Sequence, residues 1–502
     1  MSEQAENKKA GFSTRLGLLM VMLGASCGAG NIWRFPRIAA INGGGSFIIA
    51  WSVALFVVGI PIIIAEMMMG RATRHGCPGA FRDFIGEKYS WMGTVLCITT
   101  VGLTSYYTVV IAWVSQYLVQ GITGQSFGAD KEIMFNGIAN GNVVTWIIFA
   151  LTISVAAYTV MRGTHFMEKI DMILIPFLFL ILVILAIKAV MLPGALKGIE
   201  YYFSISKEEL LSPQVWLQAI TQVAWSVGPG QGLLLTLAVY TKSKSDISLN
   251  VVFQGTGDNA ISLIAGFAVL PAVFALVPYD EAMGMVASGN QGFTFIALAN
   301  LFEVMPGGYV VAILFWISLI VAVFASLISV FQVGVAPLVD IGWSRKKSCV
   351  AILIVCLIWG TPSALSQSFF NNQDWMIGMV LLLGALFTCY AVVKFGVEKA
   401  RTQYINIPEN DFYVGRWWNV CIKFIGPGLI IIMFIWWTIQ AISWYPETWW
   451  NPFLEDSLGT AIVQGALIVL ISLIFNKKIA KSSGPKYFKD DGYPDVPEEH
   501  LQ

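Results

Sequence analysis

Charge is scarce in this sequence. Asp, Glu, Lys and Arg make up 12% of its 502 residues, about half of what a soluble chain of this length carries, so a string of water-soluble domains is excluded. Histidine is scarcer still, with three residues. His75 and His165 fall in loops between apolar stretches and His500 in the tail, so no role is assigned to them. No His/Glu cluster has metal-ligand spacing, and no Ser-centred nucleophile motif is present, which leaves nothing to argue for enzymatic chemistry. Asn-x-Ser/Thr sequons are absent, so glycosylation is not indicated. Six of the seven cysteines lie in or beside apolar stretches and Cys77 lies in a loop, so no loop-paired disulfide framework is expected. The first seventeen residues are polar, basic and small ahead of a long broken apolar stretch, unlike a signal peptide.

What is abundant is apolar sequence, 57% of the chain. Stretches of about twenty apolar residues recur throughout, long enough to cross a hydrocarbon core of roughly 30 Å as helices. In lipid the backbone must satisfy itself, which admits only helices or closed barrels. A barrel strand would alternate apolar and polar residues, and runs such as AILIVCLIW at 351–359 do not alternate. The class is an all-α polytopic membrane protein. Twelve transmembrane helices are expected, near 14–40, 44–70, 91–121, 142–161, 169–192, 213–241, 250–278, 309–340, 347–366, 374–397, 417–443 and 457–476. Twenty-four of the thirty Lys and Arg residues then fall on one side, with only Lys131, Lys197 and Lys207 in the opposite loops. Positive charge accumulates on the cytoplasmic side, which places both termini there. A prokaryotic cytoplasmic membrane is expected, with the tryptophans after residue 416 at the bilayer interfaces.

Two spans are broken. The first runs Gly24-Ala25-Ser26-Cys27-Gly28-Ala29-Gly30-Asn31, with Arg34 close behind. The sixth runs Ser226-Val227-Gly228-Pro229-Gly230-Gln231-Gly232. Glycine and proline in mid-span cost helix stability. Small residues also serve close helix packing, but here the glycines are spaced by two as well as four, polar Asn31 and Arg34 follow, and the two breaks lie five spans apart. Interrupted spans at corresponding places in two halves point to a transporter site. A five-helix unit has an odd count, so its second copy inserts upside down. A phosphate loop would need a strand before the helix, and a channel would need rings of like groups.

At these residues the sequence resembles the neurotransmitter:sodium symporter family, including its bacterial amino-acid transporters. The strings are Arg15-Leu16-Gly17, Gly30-Asn31-Ile32-Trp33-Arg34-Phe35-Pro36, Asn42-Gly43-Gly44-Gly45, Gly59-Ile60-Pro61, Glu66, Gly70-Arg71, Tyr106-Tyr107, the broken sixth span and Met305-Pro306-Gly307-Gly308. The match covers nearly the whole chain. The resemblance implies two inverted five-helix repeats, 14–192 and 213–397, with the first and sixth helices broken mid-membrane. A cytoplasmic segment (1–13), two additional helices (417–476) and a cytoplasmic tail (477–502) complete the chain.

The resemblance also implies the site residues. A first sodium site would use Ser26, Asn31, Ser226 and Asp258, completed by the substrate's carboxylate. A second would use the carbonyls of Gly24, Cys27 and Ala322 with the hydroxyl of Ser326. Ala325 stands where relatives place Thr or Asp, so one oxygen ligand is missing there. One or two Na+ ions are therefore expected. Chloride-dependent relatives bind that anion with a Tyr, a Gln and two Ser residues. Gln222, Ser226 and Ser262 match, but Trp51 replaces the tyrosine, and Asp258 has the register of a fixed carboxylate that removes the chloride requirement.

Backbone N–H groups at Ala29 and Gly30 with the Tyr107 hydroxyl suit a substrate carboxylate. Gly28 stands where amine-selective relatives have an aspartate. The pocket wall would be Ala25, Ser26, Leu103, Ser105, Tyr107, Trp225, Gly228, Gln231, Ser326, Ser329 and Val330, roomier and more polar than a leucine site. Arg34 with Asp374, over Tyr107 and Trp225, would gate the outside, and 292–305 would cap the vestibule. Lys9 with Asp340, plugged by Phe12, would gate the inside. The expected partner is a small zwitterionic solute, first a neutral α-amino acid and second a β- or γ-amino acid or a taurine-like osmolyte. No nucleic-acid partner is expected, and the oligomeric state is not legible. A sensor on the same fold is the competing class, and the 26 residues after 476 leave little room for a signalling domain.

Overall fold

The computed structural model describes residues 11–488, and these contain helices and no strands. Ten helices among them are long and apolar enough to cross a membrane. In chain order the elements used below are α1 (Arg15–Ser26), α2 (Gly30–Ile41), α3 (Gly45–Thr73), α4 (Glu87–Ile122), α5 (Val143–Met161), α6 (Thr164–Val190), α7 (Pro213–Ser226), α8 (Leu233–Ala238), α9 (Ile247–Leu276), α10 (Gly308–Asp340), α11 (Arg345–Leu365), α12 (Gln367–Phe395), α13 (Trp417–Trp444) and α14 (Leu458–Ser482). The pair α1 and α2 bends by 56° and counts as an eleventh crossing if taken as one span. The expected sixth span is two helices, α7 of 14 residues and α8 of 6. Neither is long enough to cross alone, so length and composition give ten crossings, eleven with the bent pair as one span, and the expected twelve takes α7 and α8 together as a second broken span.

The helices start where local chemistry allows. Thr14 caps α1 by accepting from Gly17 N at 2.9 Å, and Asp246 caps α9 by accepting from Leu249 N at 3.0 Å. Such caps satisfy N–H groups that have no intrahelical partner. Pro213 opens α7, where its missing N–H and fixed φ cost nothing.

The packing repeats between the two halves. The third long helices of each set, α4 and α10, pack against each other. The bent pair α1 and α2 lies against α9, while α7 and α8 lie against α3. In the same way α6 packs on α9 and α12 on α3. The two broken elements thus sit side by side inside a scaffold. Large apolar side chains such as Phe424, Ile435, Ile462 and Ile474 are exposed on the outer surface of α13 and α14, as lipid-facing positions require. Interior positions instead hold Asn31, Glu66, Asp171, Gln222 and Asp258, all buried.

Candidate functional site

Helix α1 ends at Cys27, whose φ of −77° and ψ of 85° leave the helical region. Cys27 N still donates to the Leu23 carbonyl at 2.7 Å, but Gly28 N donates to Ser26 O and to Asn31 Oδ1, both at 2.9 Å. The Gly24 carbonyl therefore loses its usual donor four residues ahead. The chain resumes as a wide turn over Gly30–Arg34 and continues into the rest of α2. Between α7 and α8, Gly228, Gly230 and Gly232 take φ values of 71°, 88° and 70°. Three left-handed residues in six are accessible to glycine alone at small cost, which explains the composition of this break.

Four side chains from both breaks and α9 meet at one point. Asn31 Nδ2 donates to Asp258 Oδ1 at 2.8 Å and to Ser262 Oγ at 2.8 Å. The Ser226 hydroxyl donates to Asp258 Oδ2 at 2.5 Å. Ser26 lies next to them, but its hydroxyl bonds back to the carbonyls of Met22 and Leu23. Apart from the Asn31 amide nitrogen the donor atoms are hard oxygens, the kind an alkali cation prefers. Rotating that amide would present its oxygen instead. Gln222 stands apart, since its amide holds Arg34 and donates to the Gly30 carbonyl at 3.3 Å.

Beside this cluster lies a cavity of about 330 Å³, within the range of small-molecule sites. Ala25, Ser26, Ala29, Gly30, Leu103, Tyr107, Trp225, Ser226, Gln231, Ser326 and Val330 line it. Ala29 N donates to the Tyr107 hydroxyl at 2.8 Å, and the Ser326 hydroxyl lies 3.3 Å from the same oxygen.

Three residues expected in the wall lie outside it. Ser105 is buried with its hydroxyl on the Val101 carbonyl, 2.8 Å away in its own helix. Ser329 is buried without a hydrogen-bond partner. Gly228 is covered by the Gln231 carboxamide, which lies 3.2 Å from the position a Gly228 side chain would take. The space that Gly228 leaves is therefore filled by Gln231, and the cavity gains no depth at that point.

The sequence model of the Sodium:neurotransmitter symporter family matches residues 9–136 and 127–481. This chain belongs to that family. It is 30% identical to an uncharacterised sodium-dependent transporter of Methanocaldococcus jannaschii, over 84% of this chain and 89% of the relative. It is 23% identical to the sodium- and chloride-dependent taurine transporter of Bos taurus, over 96% of this chain and 87% of that one. The crystal structure of MhsT in complex with L-phenylalanine superposes with a TM-score of 0.74 at 28% identity, covering 85% of this chain and 99% of that one. The protein is a multi-pass, sodium-dependent transporter of a small solute, and the family is not one of enzymes.

In this symporter the cavity continues past Arg34 and Asp374 to Arg37, Asn290 and Gln291. Arg34 donates to the Gln222 amide oxygen, and Asp374 accepts from the Tyr106 hydroxyl at 2.9 Å. The opening is thus on the side of 278–309, where residues 279–304 fold into short helical segments. The opposite end is closed. Phe12 is buried with its N–H toward the Tyr240 carbonyl, and Asp340 accepts from Gly76 N at 2.7 Å. Arg345 reaches the Gln332 side chain at 2.8 Å, and Gln332 donates to the Tyr240 hydroxyl at 2.9 Å. Lys9, the expected partner of Asp340, lies outside the described residues.

For the second expected cation position, Gly24, Cys27, Ala322 and Ser326 are all buried. The Ser326 hydroxyl lies 3.2 Å from the position of a Gly28 side chain and donates to Val323 O at 3.0 Å. Two residues around the breaks were not assigned roles from sequence. Glu66 Oε1 accepts from Gly230 N at 2.6 Å and from Gly232 N at 3.4 Å, which pins the α7–α8 break. Asp171 on α6 packs its carboxyl group against Gly24. Its signal in the sequence is a carboxylate near the start of an apolar span, one turn after Glu168.

Proposed function

We propose that this transporter is a chloride-independent symporter of sodium and a neutral α-amino acid. The observation that supports it most is the meeting of Asn31, Ser226 and Asp258 beside the cavity. A cation held there balances the Asp258 carboxylate, so no dissolved anion is needed. The same cation faces the solute's carboxylate, which is directed by the Ala29 and Gly30 N–H groups and the Tyr107 hydroxyl. Ion and solute then bind together. The amine has no acid at Gly28 to meet, which favours an amino acid over a decarboxylated amine. L-phenylalanine bound to MhsT agrees with an α-amino acid substrate.

A second reading, a taurine-like or ω-amino acid, is favoured by one observation. The Gln231 carboxamide faces the cavity and provides a polar contact for a more distant group.

Transport proceeds by alternating access. The cavity open beside Arg34 and Asp374 takes up ions and solute from outside, and the closed end at Phe12 and Asp340 opens for release. The excess of Lys and Arg in the loops of that closed end supports a cytoplasmic assignment for both termini in a prokaryotic plasma membrane. Inward movement of one charge is worth about 2.3 kcal/mol per 100 mV, enough to concentrate solute about fiftyfold.

The test is reconstitution into liposomes with an inward sodium gradient in chloride-free gluconate, with labelled amino acids and taurine. Sodium-dependent accumulation of an α-amino acid without chloride is the expected result. Uptake that requires chloride overturns the anion assignment. Competition by taurine or γ-aminobutyrate alone overturns the substrate assignment. Solute binding with no uptake in either anion indicates a sensor.

A further inference from the structure

We propose that Asp171 supplies the second sodium position with the oxygen ligand that Ala325 cannot provide. The inference rests on the sodium-coupled reading above and adds a ligand from α6 to it.

Asp171 is fully buried, and neither carboxylate oxygen has a hydrogen-bond partner. Among the described residues it is the only buried acid in that condition. Glu66 has the Gly230 N–H, Asp258 has Ser226 and Asn31, and Glu168 has Ser13 and Thr14. A structural acid inside a span is therefore supplied with donors in this protein, and Asp171 is not. No basic side chain of the described residues forms an ion pair with it. A carboxylate left uncompensated at this depth is strongly disfavoured, so the group must either carry a proton or face a cation.

The position of the carboxylate identifies where that cation sits. Asp171 Cγ, Oδ1 and Oδ2 lie 3.1, 3.2 and 3.3 Å from the place of a Gly24 side chain. Gly24 is where α1 begins to release its carbonyls. Gly28 N, the normal donor to the Gly24 carbonyl, is committed to Ser26 O and Asn31 Oδ1. The carboxylate thus lies beside the residue whose carbonyl is freed, and a cation between the two oxygens would satisfy both. Helix α6 packs on both α1 and α10, so Asp171 closes the third side of a position that has Gly24 and Cys27 on one wall and Ala322 and Ser326 on another. Ala325 offers only a methyl group there. The carboxylate has moved from one wall to the next, and each sodium keeps one acid, Asp258 for the first and Asp171 for the second.

The test is binding of radiolabelled sodium to the purified full-length protein in lipid nanodiscs. Wild type is expected to bind two ions per chain, and Asp171→Asn and Asp258→Asn one each. The double variant Asp171→Asn/Ala325→Asp is expected to regain the second ion, an outcome that a purely structural role for Asp171 would not produce. Should Asp171→Asn fail to fold, Asp171→Glu keeps the charge but displaces it, and it should weaken the second sodium by about tenfold or more while leaving the first unchanged. Two ions of unchanged affinity in Asp171→Asn, or in Asp171→Glu where that variant is used, overturn the inference. A wild-type stoichiometry of one that Asp258→Asn abolishes also overturns it, while leaving sodium coupling intact. No sodium binding by wild type is a different result, because it removes the coupling reading itself.

Discussion

Arg34 and Asp374 face one cavity, yet each is bonded to another residue, Arg34 to Gln222 and Asp374 to Tyr106. Closing the proposed gate would therefore exchange one set of hydrogen bonds for another, and the open state would be held by the bonds that are given up. A bond to a charged group contributes about 1.5–3 kcal/mol. Replacing Gln222 by Ala removes the open-state partner of Arg34 and should shift the population toward the closed gate by roughly tenfold or more. The readout is the rate at which purified protein releases a labelled bound solute to the medium. Gln222→Ala should slow release and Asp374→Asn should speed it. Equal rates for both variants and wild type would show that these residues do not gate.

Asp258 is the fixed charge at the meeting point of the two breaks. Asp258→Asn keeps its shape and removes that charge, so sodium there loses its counter-ion. Sodium-driven uptake in gluconate should fall at least about a hundredfold, given that loss of a charge-assisted contact is worth roughly 3 kcal/mol. Adding chloride should restore part of the activity, since the vacated charge can then be replaced from solution. Full activity of Asp258→Asn in gluconate contradicts the proposed role.

Much of this site was legible in the sequence for a physical reason. Gly and Pro are costly in a span, so Gly28, Gly30, Gly228 and Pro229 mark the breaks without any structure. Carboxylates in a span are rare enough that Asp258 is conspicuous. Side-chain direction was not legible. Ser105 and Ser329 carry the right chemistry at plausible positions, but the helix phase turns both away from the cavity. Gly228 was read as open space, because sequence does not tell that Gln231 folds back across it. Asp171 was not legible, because the Gly24 it packs against is distant in the chain and no motif ties the two together. The count of twelve depends on taking α7 and α8 together as one broken span, since each alone is too short to register as a crossing.

Gly28 has no side chain because the Tyr107 hydroxyl occupies that space. A Cβ there would lie 2.4 Å from Tyr107 Oη and 3.2 Å from Ser326 Oγ. Gly28→Ala should displace the tyrosine hydroxyl, the far end of a side chain able to move, rather than unfold the protein. The Ala29 N–H then loses its present acceptor and the carboxylate contact its hydroxyl. The KM for solute should rise about tenfold, the cost of roughly one such hydrogen bond, with the maximal rate changing less. Tyr107→Phe should reproduce the effect. An unchanged KM in both variants would place the carboxylate elsewhere.

Glu66 and Gly384 hold the second break from its two sides, and their variants should differ in kind. Glu66 Oε1 accepts from Gly230 N and Gly232 N, while its Oε2 has no partner. Gln keeps an acceptor at that place, so Glu66→Gln should preserve the break. Glu66→Ala strands two buried N–H groups, each costing about 1–3 kcal/mol. Its melting temperature in detergent should fall by several degrees, and uptake should be lost. Gly384→Ala acts by crowding, because its Cβ would lie 1.9 Å from the Gly230 carbonyl oxygen. Both sides of that contact are backbone, so no side chain can yield, and overpacking of this kind costs about 1–3 kcal/mol or more. Gly384→Ala should therefore lower the melting temperature and abolish uptake even with Glu66 intact. A Gly384→Ala protein as stable and active as wild type would mean that α12 does not approach the break this closely.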